Sequence, residues 1–399
     1  MSPQTERNVR FSLALVLVST MGAASTLGVP PSVWLIARAL SILTLWIQVL
    51  HSTRNTRPTS TGASRRVFTF LYLIGIFAAM SVVFSQERLE TLFSAATLLV
   101  FVSAVERLST RRWSHRSVML GDLQLIFVLV TAFLTVGVLA HYVGLLPVPY
   151  GGRFQGYFNN PNMAAQISVL AGLIGWGLFR ELGGVWRVCL IVPSVATLLL
   201  SQSRASLAAA GLAVFWILAR SGWKGIIAAL ALVLTTGIAI WIFGTVWVTS
   251  ITQRFGDQAG GDSLSGRTYI WRDALGLIRD KPLGSGWATT PTLARSMGGY
   301  SSFHSGFIQV AVEGGVFALL FLTLVYVALL PVVLRVPTRG FAAGVSSLAI
   351  AGFIITFSES GLFGLGQPFP YLYWFGIGAL LAMYNQQTPT EQGQHQTLK

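Results

Sequence analysis

Apolar residues fall along this chain in twelve runs separated by polar breaks, at 11–29, 31–50, 67–84, 91–105, 118–141, 163–179, 187–201, 204–219, 225–247, 304–334, 341–357 and 370–384. Runs of this kind predict membrane-spanning α-helices, because about 20 apolar helical residues match the roughly 30 Å hydrocarbon thickness of a bilayer. The fourth and seventh are short by that measure. The first lacks a small-residue cleavage site and leads almost at once into the second, so it reads as a retained helix rather than a signal peptide. One break is far longer than the others, residues 248–303 between the ninth and tenth runs. The expectation is an all-α integral membrane protein, a single polytopic domain over 1–399 with about twelve transmembrane helices. The 248–303 segment is expected to be a large extramembrane loop with short helices.

Composition agrees with that pattern. Of 399 residues 53% are hydrophobic and 10% charged, and the mean hydropathy is +0.66, whereas an ordinary soluble domain is about one-quarter charged. The single cysteine, Cys189, falls in a predicted span, which excludes disulfides and cysteine metal sites within one chain.

Basic residues set the orientation. With a cytoplasmic amino terminus, the inside segments hold Arg7, Arg10, Arg54, Arg57, Arg65, Arg66, Arg107, Arg111, Arg112, Arg116, Arg180, Arg187, Arg220, Lys224, Arg335, Arg339 and Lys399, which is 17 of the 27 cations. Concentration in short loops follows the positive-inside bias, so both termini are expected in the cytoplasm. The net charge of +14 is then a matter of topology and anionic headgroups rather than of nucleic acid.

The ten remaining cations are Arg38, Arg88, Arg153, Arg204, Arg254, Arg267, Arg272, Arg279, Lys281 and Arg295. They run against the topological bias, and all but one are arginines. Arginine keeps its charge and presents a planar fork of donors that matches phosphate oxygens. An anionic ligand on the outer face accounts for them most simply.

Four arginines have distinctive settings. Arg153 lies in Gly151-Gly-Arg-Phe-Gln-Gly-Tyr-Phe-Asn-Asn-Pro-Asn162, an irregular loop before the sixth run; it reads either as an interfacial arginine in a turn or as one that meets a polar ligand at the helix start. Arg204 lies in Leu200-Ser-Gln-Ser-Arg-Ala-Ser206, where neighbouring hydroxyls and an amide suggest a polar pocket rather than a snorkelling anchor. Arg267 opens a predicted loop helix over 266–280, capped by Ser265 and ended by Pro282. It shares a stripe with Ile270, Trp271, Ala274, Leu275 and Ile278, so it points to the protein body while Arg272, Asp273, Arg279 and Asp280 form a solvated face with local ion pairs. Arg38, inside the second run, is a ligand candidate or the partner of an unidentified carboxylate.

His304 is the side chain suited to take a proton near neutral pH, where the loop becomes the tenth helix. A helix start and nearby arginines both disfavour the imidazolium, and a neutral imidazole can remove the proton of a hydroxyl nucleophile. Capping and metal ligation are the alternative roles. Against metal, the other outer histidine is His141, and no Asp-x-Asp pair or carboxylate cluster accompanies either. Glu313 falls about 13 Å along the helix, on the opposite face from His304, and reads as a polar-network residue. Asp257 and Asp262 read as solvated loop charges.

The succession Gly152-Arg-Phe-Gln-Gly-Tyr-Phe-Asn-Asn-Pro-Asn162, Ser201-Gln-Ser-Arg204, Gly266-Arg-Thr-Tyr-Ile-Trp271 with Pro282-Leu-Gly-Ser-Gly286, and His304 with Glu313-Gly-Gly315 resembles the O-antigen ligase and polymerase superfamily. The resemblance covers residues 150 to 315. It implies a metal-independent, cofactor-free inverting glycosyltransferase of the bacterial inner membrane, acting on its periplasmic face with a polyprenyl-diphosphate-linked glycan as donor. His304 then matches the catalytic base, Arg204 and Arg267 the arginines of the donor diphosphate, and Arg153 a further one. Arg38, Arg295 and Asn162 are secondary candidates. The ligase branch, whose acceptor is a lipid A core oligosaccharide, is favoured by the compact length; Arg295 followed by ten residues and Gly306 fits a polymerase pattern instead.

Two rivals have different signatures. A polytopic transporter shows related halves and its longest loop inside, between the sixth and seventh spans. A peptidoglycan-type polymerase is expected to use a loop carboxylate in place of His304.

Overall fold

The computed structural model describes residues 3–23, 31–146, 153–178, 184–220, 222–224, 227, 267–298, 302–337, 340–364 and 366–387. Among them the chain forms helices α1 (Pro3–Ala23), α2 (Pro31–Ser52), α3 (Gly62–Met80), α4 (Arg88–Thr110), α5 (Arg116–Tyr142), α6 (Pro161–Leu178), α7 (Gly184–Ser201), α8 (Arg204–Ala219), α9 (Arg267–Asp280), α10 (Thr290–Gly298), α11 (Gly306–Arg335), α12 (Phe341–Ser358) and α13 (Pro368–Gln387), and no strand. Six stretches of the described residues are long and apolar enough to cross a membrane: Val33–Ser52, Gly62–Phe84, Arg88–Ser114, Arg116–Tyr142, Gly306–Arg335 and Phe341–Ser358. Ile191–Ser201 and Arg204–Ala219 are shorter apolar helices. The expected ninth span at 225–247 and the loop residues 248–266, with Arg254, Asp257 and Asp262, lie outside the described residues except for Ile227.

The fourth helix corrects the sequence reading. It runs 23 residues from Arg88 to Thr110, because polar residues at both ends continue the helix beyond the apolar run.

The bundle has two chemically distinct ends. At one, the fully buried Asp122 of α5 accepts from Arg112 Nε at 2.7 Å, from Trp113 Nε1 at 3.0 Å and from Arg10 Nε of α1 at 3.2 Å. Nearby, Asn385 Oδ1 of α13 accepts from Thr61 and Ser64 at the start of α3. These side chains sew the ends of α1, α3, α5 and α13 together. At the other end, the α9–α10 loop and the first turn of α10 dock on the α3–α4 connector and the first turn of α4, where Thr292 Oγ1 donates to Glu87 Oε1 at 2.7 Å and Thr91 Oγ1 to the Trp287 carbonyl at 3.1 Å.

That loop also meets α11 backbone to backbone. Ser285 N donates to the Val312 carbonyl at 2.8 Å, Gly286 N to Glu313 at 3.2 Å, and Val316 N to Pro282 at 2.9 Å. The last bond is possible because α11 kinks at Gly315, whose φ of 82° is open to glycine. Glu313 is buried in this joint and accepts from Thr290 N at 3.0 Å and Gln309 Nε2 at 3.3 Å, so it serves the polar network.

α9 packs Ile270 and Ala274 against Ala294, Phe303 and Val312, with Trp271, Leu277 and Ile278 at the margin. Leu275, expected on this stripe, is 60% exposed, since it lies about 140° round the helix from Ile270. Arg272–Asp273 at 3.9 Å and Arg279–Asp280 at 3.3 Å are the local ion pairs of the exposed face.

Candidate functional site

Four segments distant in sequence converge at the loop-bearing end, and each is fixed by its own local chemistry. The first is the start of α6. Asn160 caps it, its side chain accepting from Asn162 N at 2.8 Å, and Pro161 occupies the first helical position, where its missing N–H costs nothing. Asn162 is thereby held in the first turn. Upstream, Phe154 N donates to the Leu200 carbonyl at 3.1 Å and Arg153 Nε to the Ser201 carbonyl at 2.9 Å, which ties this segment to the end of α7.

The second is Arg267, the first residue of α9. The third is the approach to α11, where Ser305 is the cap and its hydroxyl accepts from Ile308 N at 3.5 Å. His304 therefore precedes the helix rather than beginning it. Its φ of 50° is left-handed, a conformation that costs a non-glycine residue about 1–2 kcal/mol. His304 N donates to Ser302 Oγ at 3.3 Å, and the Phe303 carbonyl accepts from Trp271 Nε1 of α9 at 2.9 Å. Both contacts hold the strained turn.

The fourth is the end of α12, which sequence reasoning missed. Glu359 is the C-cap residue, its N–H bonded to the Ile355 carbonyl at 2.9 Å. The following turn is pinned to α11 by Gly361 N donating to Gln309 Oε1 at 2.8 Å and by Ser305 N donating to Ser360 Oγ at 3.3 Å.

Glu359 is where the four segments meet. Its Oε1 accepts from Arg267 Nη2 at 3.1 Å and from Asn162 Nδ2 at 2.9 Å, and its Oε2 lies 3.5 Å from His304 Nδ1. Arg267 places its other arm, Nη1, 2.8 Å from the Ser358 carbonyl, and Asn162 Oδ1 accepts from Arg153 Nη2 at 2.7 Å. The amide of Asn162 has one orientation that works: reversed, its oxygen would face a carboxylate and its NH2 a guanidinium. Side-chain exposure is 22% for Arg267, 25% for His304 and 8% for Glu359, so the two potential reacting groups remain reachable while the carboxylate between them is covered. The one sequence signal for Glu359 is that it is the single carboxylate in residues 336–387.

Arg204 opens α8 three residues after Ser201 and its side chain is exposed. The hydroxyls expected to surround it satisfy each other beneath, with Ser203 Oγ 3.1 Å from Ser206 Oγ. Arg295 is exposed on α10 and donates to the Pro291 carbonyl of its own helix at 3.0 Å. Arg38 lies beside Gly366, within electrostatic range of Glu90 and Tyr371; Glu90 is thus a carboxylate available to it. Among the described residues, no three His, Cys, Asp or Glu side chains are grouped to hold a metal ion.

Chemically, the site sets a histidine with one ring nitrogen turned to a carboxylate, one arginine bonded to that carboxylate directly and a second joined to it through the Asn162 amide. Such a set can accept a proton from a hydroxyl and hold an anion. A family model described as O-antigen ligase matches residues 189–323, a stretch that includes Arg204, Arg267, His304 and Glu313 but not Arg153, Asn162 or Glu359. No curated protein matches the chain.

Proposed function

We propose, from the premise that this multi-pass membrane protein belongs to the O-antigen ligase superfamily, that it transfers a glycan from a polyprenyl-diphosphate donor to a hydroxyl of a lipid A core oligosaccharide. The reaction is metal-independent and inverts the anomeric carbon. The site faces the periplasm from the inner membrane, both termini lie in the cytoplasm, and the chain crosses the bilayer twelve times. The observation that carries this reading is that His304 and Arg267 share one carboxylate, which puts a proton acceptor and a phosphate-binding fork side by side.

Arg204 and Arg267 bind the diphosphate, with Arg153 a further donor to it. Arginine suits this task because its fork meets two phosphate oxygens at once. The acceptor hydroxyl approaches His304 from the aqueous side, and His304 removes its proton as the new bond to the anomeric carbon forms. The bond from that carbon to the phosphate oxygen breaks, and the electron pair leaves with polyprenyl diphosphate, whose charge needs only cations to hold it. Polymerisation of one repeat unit onto another uses the same chemistry with a different acceptor.

The test is purified protein with a polyprenyl-diphosphate glycan and two competing acceptors, lipid A core and a second repeat unit, with and without chelator. Transfer to lipid A core, undiminished by chelator and lost in His304→Ala, is the expected result. Transfer to the repeat unit alone makes the protein a polymerase. Near-normal transfer by a folded His304→Ala protein removes the proposed base.

A further inference from the structure

We infer that Glu359 is a positioning residue with two tasks: it fixes the proton-accepting nitrogen of His304, and it occupies the arginines in place of the donor diphosphate until the donor arrives. This rests on the transferase reading above and adds to it a residue outside the stretch matched to the family.

The first task follows from which atoms meet. An ionised carboxylate only accepts hydrogen bonds. Facing Glu359 Oε2 at 3.5 Å, His304 Nδ1 therefore carries the proton, and the lone pair that accepts the substrate proton is on Nε2. When Nε2 takes that proton, the imidazolium remains bonded to the carboxylate through Nδ1–H. It returns to neutral by releasing the Nε2 proton to water, so no further co-reactant is needed. A residue already held at φ 50° gains its ring orientation from this contact.

The second task follows from the other oxygen. Glu359 Oε1 takes a donor from Arg267 and one from Asn162, and Asn162 relays to Arg153. Without substrate, Arg267 is thus paired with a carboxylate that is 8% exposed, and Arg153 is linked to the same carboxylate through one amide. A diphosphate offers more charge and more acceptor oxygens than one carboxylate, so it draws the guanidinium donors away from Oε1. The carboxylate is then left to His304, and the 3.5 Å separation, at the outer limit of a hydrogen bond, shortens. Binding of the donor and readiness of the base are coupled through one side chain.

Glu359→Gln tests both tasks. The amide oxygen still accepts from Arg267 and Asn162, but its NH2 facing Nδ1 forces that nitrogen to accept, which puts the ring proton on Nε2. In full-length protein in lipid nanodiscs, kcat should fall about 100-fold or more, as when an orienting carboxylate becomes an amide beside a catalytic histidine. KM for the acceptor should stay unchanged. Binding of polyprenyl diphosphate alone should tighten severalfold, because the arginines lose their competing anion. A merely structural role predicts the reverse pairing, with weaker diphosphate binding and lower thermal stability accompanying lost activity, and that outcome overturns the inference. So does kcat within about threefold of the parent. Glu359→Asp retains the charge and the tautomer at a longer distance and should recover part of the lost kcat; equal loss in both variants also overturns it. His304→Ala, run alongside, separates the two failures: if it is inactive while Glu359→Gln is not, only the role of Glu359 falls.

Discussion

Arg267 and Glu359 stand 92 positions apart in the chain and meet at 3.1 Å. The same guanidinium places its second arm 2.8 Å from the Ser358 carbonyl, so the arginine straddles the end of α12 with both donors in use. A lysine ammonium is a point charge and cannot span the two acceptors. Arg267→Lys should therefore lower kcat/KM for the donor by about 10- to 100-fold, which corresponds to about 1.5–3 kcal/mol for one charge-assisted hydrogen bond. Initial rates over a range of donor concentrations give the number. An unchanged KM together with parental kcat would detach this arginine from the substrate.

Gly284 provides a structural counterpart. A β carbon there would lie 2.4 Å from the Glu313 carbonyl oxygen and 2.8 Å from Gly315 N, at a φ of 95°. Both neighbours are backbone, so the loop itself must retreat from α11. Gly284→Ala should cost about 2–3 kcal/mol of stability, combining positive-φ strain with lost loop contacts, and should reduce activity by displacing α9 and α10. Gly276 of α9 is the control, since a β carbon there would meet nothing within 4 Å. Gly276→Ala should be neutral or stabilising by up to about 1 kcal/mol. Thermal unfolding in detergent compares them, and equal melting temperatures would show that the joint tolerates the methyl group.

The buried Asp122 makes a prediction at the opposite end of the bundle. With Arg112, Arg10 and Trp113 all donating to it, Asp122→Ala leaves Arg112, itself 3% exposed, without its carboxylate. Removing one partner of a buried pair costs about 3–5 kcal/mol. The variant should melt much lower, while any protein that remains folded keeps parental KM values, because the groups proposed to act lie at the other end. A change in donor KM without loss of stability would contradict this separation of roles.

Much of the helical order is readable from the apolar runs because each run is nearly unbroken and its ends carry polar residues. Where an edge is polar yet helical, as at Arg88 and Thr110, hydropathy alone shortens the element. The inward turn of Arg267 is readable too, since local helical phase places it with Ile270 and Ala274. Glu359 is not. It follows an apolar helix, 55 positions after His304, and nothing in local pattern says that the end of α12 folds back beside the start of α11. At Arg204 the sequence shows hydroxyls beside a guanidinium but not how they pair: Ser203 and Ser206 bond to each other, and the arginine side chain is exposed.

The exposed Arg295 tests whether spacing alone carries function. Its guanidinium bonds back to Pro291 on its own helix, an arrangement typical of a solvated surface charge. Arg295→Ala should leave transfer within about twofold of the parent and stability within about 0.5 kcal/mol. A large loss of activity with intact folding would bring α10 into the site and revive the polymerase-like spacing to Gly306.

Asn162 offers the most discriminating measurement, because it contacts both sides of the network. Its Oδ1 holds Arg153 at 2.7 Å and its Nδ2 holds Glu359 at 2.9 Å, so truncation to alanine cuts the relay without touching His304 or Arg267. Asn162→Ala alone should lower kcat/KM about tenfold, as one hydrogen bond to each of two charged groups is lost. If the amide acts through Glu359, combining Asn162→Ala with Glu359→Gln should cost less than the sum of the two single losses, with a coupling energy above about 1 kcal/mol. Arg295→Ala, whose guanidinium bonds within its own helix, should be additive with Glu359→Gln in the same cycle. Strict additivity for Asn162 and Glu359 would mean that the 2.9 Å contact does not transmit to the reaction, and that Arg153 meets its anion independently of the carboxylate.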